Sequence, residues 1–288
     1  MTDSAPLVDV SDLQFSYGDG EQAPALRGVN LSISPGEFVA LAGANGSGKT
    51  TLAKHFNGLL RPDRGTVRVD GRDARGRSIG ELAQTVGYVF QNPDHQIFLP
   101  TVAEEVAFGP RNLGVRGDEL DERVEEALAR FDLTGMRQRH PTLLGRGVRR
   151  RVALAAVHAM RPRLLVLDEP TGGLDRRASE GLMTTLRGLV AEGRSVVLIT
   201  HDMRLVGEHA VRLVLLNEGR VLADGPTADV MRQFDLIEQA GIRPPPVARL
   251  SAALASVGMP FSLNVEEFTA RFAERAPSVR QPADGGSA

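Results

Sequence analysis

Cysteine is absent from the 288 residues, which excludes disulfides and thiolate metal sites and fits a reducing compartment. Long hydrophobic runs are missing too. Runs such as residues 164–167 and 196–199 fall far short of the ~20 apolar residues that span a bilayer, so any membrane association is expected to be peripheral. The N-terminus MTDSAPLVDV is acidic and lacks a basic-then-apolar pattern, so no signal peptide is expected. A formal net charge of -2 speaks against a nucleic-acid polyanion as a general partner, although it leaves local patches open. There is no internal repeat and no long heptad array. Six histidines lie scattered rather than clustered. Lysine is scarce: of 34 Lys plus Arg residues, only Lys49 and Lys54 are lysines.

One of those two lysines falls in the most informative segment. Residues 43–51 read GANGSGKTT, directly after the apolar run Phe38, Val39, Ala40, Leu41, Ala42. This is the G-x-x-x-x-G-K-[ST] phosphate-binding loop. Its glycines let successive backbone N–H groups turn inward around an anion, and a helix starting at its end adds a positive dipole end. Gly43, Asn45, Gly46, Ser47, Gly48, Lys49, Thr50 and Thr51 are therefore expected to bind a nucleotide triphosphate, with Lys49 on the β- and γ-phosphates and the Thr50 hydroxyl on Mg²⁺. In a chain that uses arginine almost everywhere, a lysine here is not compositional drift.

The chain is long enough, and at 42% hydrophobic apolar enough, to bury one large core or two modest ones. Val8, Val10, Leu13 and Phe15 alternate as a strand does, residues 17–20 (YGDG) read as a turn, and Leu31 and Ile33 continue the alternation, so an antiparallel β region precedes the loop. Strands are expected at 66–69 and 86–90. From about 94 to 160 the period becomes helical, with Leu120, Val124, Ala127, Leu128 and Phe131, then Val152, Ala155, Ala156 and Ala159. Buried strands follow at 164–167 and 195–200 with a helix through Leu182, Leu186, Leu189 and Val190 between them, as in a parallel α/β sheet. Short strands at 211–216 and 220–224 close the core. Pro244, Pro245 and Pro246 read as a stiff break before a small helical appendage, and the tail from 277 reads as disordered.

A loop alone does not separate kinases, GTPases and ATP-driven motors. The strand Leu164, Leu165, Val166, Leu167 ends in Asp168 and Glu169. Both carboxylates thus stand at the carboxyl edge of a sheet, where α/β folds bind ligands. Asp168 is expected to support Mg²⁺ and Glu169 to polarise the attacking water as general base. His201, after the strand at 196–200, is expected at the same edge against the γ-phosphate. A histidine after a strand is by itself more often structural; the order loop, acidic pair, histidine favours catalysis.

These motifs together resemble the ATP-binding cassette (ABC) ATPases over residues 7–231. The resemblance implies a RecA-like P-loop core with antiparallel β and helical subdomains, a cassette domain at 5–233 and a helical extension at 234–276. It also implies a Q-loop at Gln91 that approaches Mg²⁺, a D-loop at Gly173, Leu174 and Asp175, a switch histidine at His201, and Tyr17 under the adenine, where the residue alone fits a core edge equally well. A narrower resemblance, in QNPDHQIF (91–98), TVAEEVAFGPRNLG (101–114) and DLIEQAGIRPPPVARLSAAL (235–254), is to the ATPases of energy-coupling factor (ECF) importers. It implies ATP and Mg²⁺ as ligands, a second cassette subunit, a transmembrane T component, a substrate-capturing membrane subunit, vitamin or transition-metal cargo, a position on the cytoplasmic face of the membrane, and no nucleic-acid partner. The groove near 91–98 would seat the membrane partner's helices, although Ile97 and Phe98 fit ordinary core as well.

One motif departs from the family pattern. In such ATPases one subunit's loop faces the other's LSGGQ signature, whose serine hydroxyl and glycine N–H groups bind the γ-phosphate from a helix N-terminus. Here the corresponding residues are Leu144, Gly145, Arg146, Gly147 and Val148, followed by Arg149, Arg150 and Arg151. The favoured reading is one half of a heterodimer with unequal sites. A homodimer in which Arg146 and the arginine run supply the missing phosphate contacts is the alternative, and a solvated helix face is the plain account of at least part of that run. A soluble cassette ATPase acting on nucleic acid or ribosomes, and a weakly hydrolysing regulatory subunit, are the competing functions.

Overall fold

The computed structural model describes residues 5–18 and 23–275, so the second half of the 17–20 turn and the expected disordered tail lie outside the described residues. Strands β1 (Val8–Phe15) and β2 (Leu26–Ile33) pair antiparallel, with Val8 opposite Ile33 and Val10 opposite Leu31. Alternate side chains share one face, and Val8, Val10, Leu13, Leu31 and Ile33 are all buried there. Strand β3 (Phe38–Ala42) then enters a second sheet, and helix α1 (Lys49–Phe56) follows the loop. The chain returns to the first sheet with β4 (Arg64–Val69) and the short β5 (Arg72–Asp73), completing the order β2-β1-β4-β5. Leu52, Ala53 and Phe56 of α1 pack between the two sheets.

After α2 (Ile79–Ala83), whose Ser78 and Glu81 form a reciprocal capping box, β6 (Val86–Val89) joins the second sheet at its edge. Three helices then project from the core: α3 (Val102–Asn112), α4 (Gly117–Arg130) and α5 (Arg146–Ala159). The helical spacing of Leu120, Val124, Ala127 and Leu128 puts one stripe of α4 inward, and all four are buried against α3 and α5.

The core resumes with β7 (Leu164–Asp168), α6 (Arg176–Ala191), β8 (Ser195–Ile199), α7 (Met203–His209), β9 (Arg212–Asn217) and β10 (Arg220–Pro226). The six-stranded order is β10-β9-β3-β8-β7-β6, with only β10 antiparallel. Every residue of β3, β7 and β8 is buried, which explains their unbroken apolar runs: both faces of this sheet are covered. Register sets the site. Leu41 and Asp168 both pair with Ile199, and Val89 pairs with Leu167, so the segments leaving β3, β8, β7 and β6 emerge side by side at one sheet edge.

The C-terminal segment is α8 (Thr227–Met231), α9 (Phe234–Gln239), α10 (Pro246–Ala253) and α11 (Val265–Arg275). Pro246 starts α10 rather than only breaking the chain before it, since a proline at the first helical position has no N–H to lose and a suitable φ. Met231, Ile237 and Ala240 are buried in the main core, and the Ala44 N–H of the loop donates to the Ala240 carbonyl at 2.8 Å. The segment after α9 therefore buttresses the phosphate loop, a contact the sequence did not signal.

Candidate active site

A cleft of about 830 Å³ opens at this sheet edge, lined among others by Tyr17, Lys49, Thr50, Asp168, Glu169 and His201. Its floor is the loop. Gly43 has φ +150°, and a Cβ built there would lie 2.1 Å from the Leu216 carbonyl; at Gly48, φ +104°, a Cβ would lie 2.8 Å from the Ala25 carbonyl. Glycine is required at both for the loop to pass this close to backbone. Gly48 caps α1, so the helix N-terminus opens into the cleft. The Lys49 ammonium lies across the loop, donating to the Gly43 and Ala44 carbonyls at 2.8 Å each and to Ser47 Oγ at 3.3 Å. Burial pushes this lysine below its ordinary range, with Glu169 and Asp168 pulling the other way.

Asp168 is 4% exposed. Its Oδ2 accepts from Thr50 Oγ1 at 2.8 Å and from the Tyr88 hydroxyl at 3.1 Å. Tyr88 was not anticipated as a site residue. Burial, then the adjacent Asp168 charge, raises its hydroxyl well above the tyrosine range, so it stays a donor to the carboxylate.

Glu169 takes a left-handed backbone, φ +47°, unusual for a residue with a Cβ. Its N–H donates to the Ile199 carbonyl at 2.9 Å. The carboxylate turns to β8's end: Oε1 accepts from the His201 N–H at 3.1 Å and meets His201 Nδ1 at 2.6 Å, while the Thr200 hydroxyl donates to Oε2 at 3.4 Å. The glutamate side chain is 14% exposed and the histidine side chain 68%, so the pair presents an open ring over a sheltered base.

Gln91 and Tyr17 both line the cleft. Tyr17 is 45% exposed, packs edge-on against Phe15 with centroids 5.0 Å apart, and its hydroxyl shares a 3.0 Å hydrogen bond with Thr51 Oγ1. Its ring thus reaches the cleft mouth beside the loop. Asp175 caps α6, its Oδ1 accepting from the Ala178 N–H at 2.8 Å.

The residues at the signature position are elsewhere. Leu144, Gly145, Arg146, Gly147 and Val148 do not line the cleft; Gly147 and Val148 border a separate hollow with Leu174 and Asp175. Gly145 is the N-cap of α5 and offers no side-chain cap. Arg146 is exposed and has no ion-pair partner among the described residues, with its guanidinium beside Gly173. In the rest of the arginine run, Arg149 and Arg151 stay partly exposed, as expected for at least part of it, and Arg150 departs from that expectation. Arg149 pairs with Asp94 at 2.7 Å, Arg151 with Asp132 at 2.7 Å, and Arg150 is buried.

The ABC transporter family model matches residues 26–172. The energy-coupling factor transporter ATP-binding protein EcfA of Methanothermobacter thermautotrophicus is 43% identical over 265 residues, 91% of this chain and 85% of that protein. A Caldanaerobacter subterraneus protein named as an ABC transporter ATP-binding protein is 42% identical over 261 residues. There the match covers 91% of this chain but 45% of the relative, so this chain spans about half that relative's length. Among solved structures, cbiO1 from Clostridium perfringens, described as part of the ABC transporter complex cbiONQ, superposes with a TM-score of 0.73 at 34% identity, covering 86% of this chain and 99% of that one. A dimeric ATP-binding cassette in a post-hydrolysis state bound to ADP and Pi gives a TM-score of 0.70 at 30% identity, covering 76% and 98%.

Proposed function

Because the chain belongs to the ABC transporter family, we propose that it is the ATP-hydrolysing subunit of an energy-coupling factor importer for a vitamin or transition-metal ion, working as one half of an asymmetric heterodimer. One observation carries this reading: a single cleft gathers Lys49, Thr50, Asp168, Glu169 and His201, while residues 144–148 stand outside it. A complete site therefore takes its closing wall from a second cassette subunit. The cassette domain is assigned to 5–233, its helical subdomain to 94–160 and the extension to 234–276.

Within the site the loop amides, the α1 N-terminus and Lys49 hold the triphosphate, with Lys49 exchanging loop carbonyls for phosphate oxygens. Thr50 Oγ1 and Asp168 Oδ2, 2.8 Å apart, are hard oxygen donors of the kind Mg²⁺ takes beside phosphates. When bound, the ion neutralises charge on the phosphates; Gln91 would complete its surroundings. Glu169 accepts the proton of the attacking water, and His201 fixes the carboxylate's direction and meets the γ-phosphate. Tyr17 stacks under the base. Asp175 stands on the D-loop toward the second subunit.

The altered signature gives the asymmetry. Gly145 lacks the hydroxyl, and with Arg149, Arg150 and Arg151 already held, only Arg146 remains to replace it. We place the subunit peripherally on the cytoplasmic face of the membrane; among the described residues no helix is long and apolar enough to cross a bilayer. The membrane partners, a T component and a substrate-binding subunit, are expected at the groove near 91–98.

The test is purification of the full chain from its own cells in mild detergent. Co-purification of integral membrane proteins and a second cassette subunit, with ATP hydrolysis by the complex, is the expected result. Recovery with ribosomes or nucleic acid instead would overturn it.

A further inference from the structure

Arg150 is 1% exposed, yet among the described residues its guanidinium meets backbone carbonyls rather than a carboxylate. Its guanidinium spans two backbone carbonyls: Nη1 donates to Glu169 O at 2.8 Å and Nη2 to Gln91 O at 2.7 Å. Those carbonyls follow β7 and β6, neighbouring strands whose ends carry the base and the Q-loop residue. Arg150 itself belongs to α5, four positions past its first residue. One side chain thus joins the projecting helices to both loops of the site.

The contact acts where the backbone needs it. Glu169 has φ +47°, a left-handed conformation that is unfavourable in a residue with a Cβ and persists only when its surroundings enforce it. Its N–H is held by Ile199 O at 2.9 Å, and its carbonyl takes Arg150 together with the Gly172 N–H at 3.2 Å. Both ends of this residue are pinned, and the carboxylate direction toward His201 follows. A guanidinium suits the task because its planar fork holds two acceptors in fixed geometry; an ammonium is a point charge and a glutamine amide offers a single NH₂. The neighbours do something else: Arg149 and Arg151 make ion pairs with Asp94 and Asp132.

We propose that Arg150 is a positioning residue: it fixes Glu169 and the Gln91 segment relative to α5, so that displacement of the helical region is transmitted to the catalytic base. The inference rests on the assignment of Glu169 as that base.

The test compares wild type, R150K and R150Q. In the nucleotide-free full chain, hydrogen–deuterium exchange is followed in peptides covering Gln91 and residues 169–172. Mg-ATP affinity is measured on the same proteins, and kcat on the complex with partner subunits. Both variants are expected to raise exchange in the two segments together and to keep Mg-ATP affinity within about threefold. They are expected to lower kcat ~100-fold, the scale of a small misplacement of a reacting group. R150K with wild-type exchange and kcat would overturn the proposal, since charge alone would then suffice. Exchange that rises in only one segment, or an equal loss of affinity and kcat, would overturn it as well. Should R150Q fail to fold, R150K alone decides. A wild-type complex that does not hydrolyse ATP refutes the functional reading instead, and the exchange data still judge the positioning.

Discussion

The Glu169 carboxylate and the His201 ring meet at 2.6 Å, and the same carboxylate oxygen takes the His201 backbone N–H at 3.1 Å. Two bonds from one residue therefore aim the base, one of them independent of the imidazole. Glu169→Gln keeps the shape and an acceptor oxygen but cannot take a proton. It is expected to lower kcat by ~10²–10⁴-fold, the range of a lost general base, with ATP affinity retained. His201→Ala leaves the backbone bond and is expected to cost less. Single-turnover hydrolysis beside equilibrium binding checks both, and wild-type turnover in the glutamine variant would remove Glu169 from the role.

Gly43→Ala is expected to abolish tight nucleotide binding, because the new Cβ would sit 2.1 Å from Leu216 O and 2.8 Å from Ser47 Oγ. The backbone conformation adds ~1–3 kcal/mol of destabilisation. Gly181→Ala, in α6 with no atom within 4 Å of its built Cβ, is the control and is expected to stabilise by ~0.4–1 kcal/mol. Titration calorimetry and thermal melting distinguish the two sites.

His158 is 1% exposed, accepts a hydrogen bond at Nδ1 from Arg194 Nη1 at 3.2 Å, and faces Glu126 Oε1 with Nε2 at 3.5 Å. Burial first, then the charges of Arg194 and Arg130, push its pKa down to about 4, against the weaker pull of Glu126. The folded value lies below the unfolded one, so the stability of the neutral ring is present above pH ~6.5 and is lost as pH falls through that value toward 4. His158→Gln is expected to flatten this window, narrowing the acid loss by roughly 3 kcal/mol. Urea unfolding at a series of pH values checks it; parallel curves for both proteins would contradict it.

Phe98 is 62% exposed and packs edge-on to Phe108 at 4.9 Å, whereas Ile97 beside it is core. The Gln96 side chain accepts from the Phe90 N–H at 3.4 Å. Gln96→Ala and Phe98→Ala are expected to bind Mg-ATP like wild type and to lose transport or co-purifying membrane partners. Lost nucleotide binding would mark the segment as structural instead.

Much of this architecture was legible because it is local. The loop at 43–51, the acidic strand end at 168–169 and the strand before His201 each carry a motif, and the continuous apolar runs announced a sheet covered on both faces. Parallel register then brings three separately readable segments to one edge. What escaped the sequence is contact between distant positions. Nothing in the strand Val86–Val89 says that the Tyr88 hydroxyl reaches Asp168, and nothing in the loop says that Ala44 bonds to Ala240. In the arginine run, Arg149 and Arg151 stay partly exposed in ion pairs, as the charge pattern suggests, while Arg150 turns inward as a buried fork that no local pattern announces. The segment after the three prolines continues as helix because Pro246 sits where a helix tolerates it.

Residues 144–148 leave one composite site deficient, and the deciding measurement is ATP hydrolysis by the purified chain alone and then mixed with a partner cassette subunit carrying an intact LSGGQ signature. Little turnover alone, rapid turnover in the mixture, and loss of that turnover when Glu169→Gln is placed in this chain are expected. Vigorous hydrolysis by the chain alone would contradict the asymmetric site.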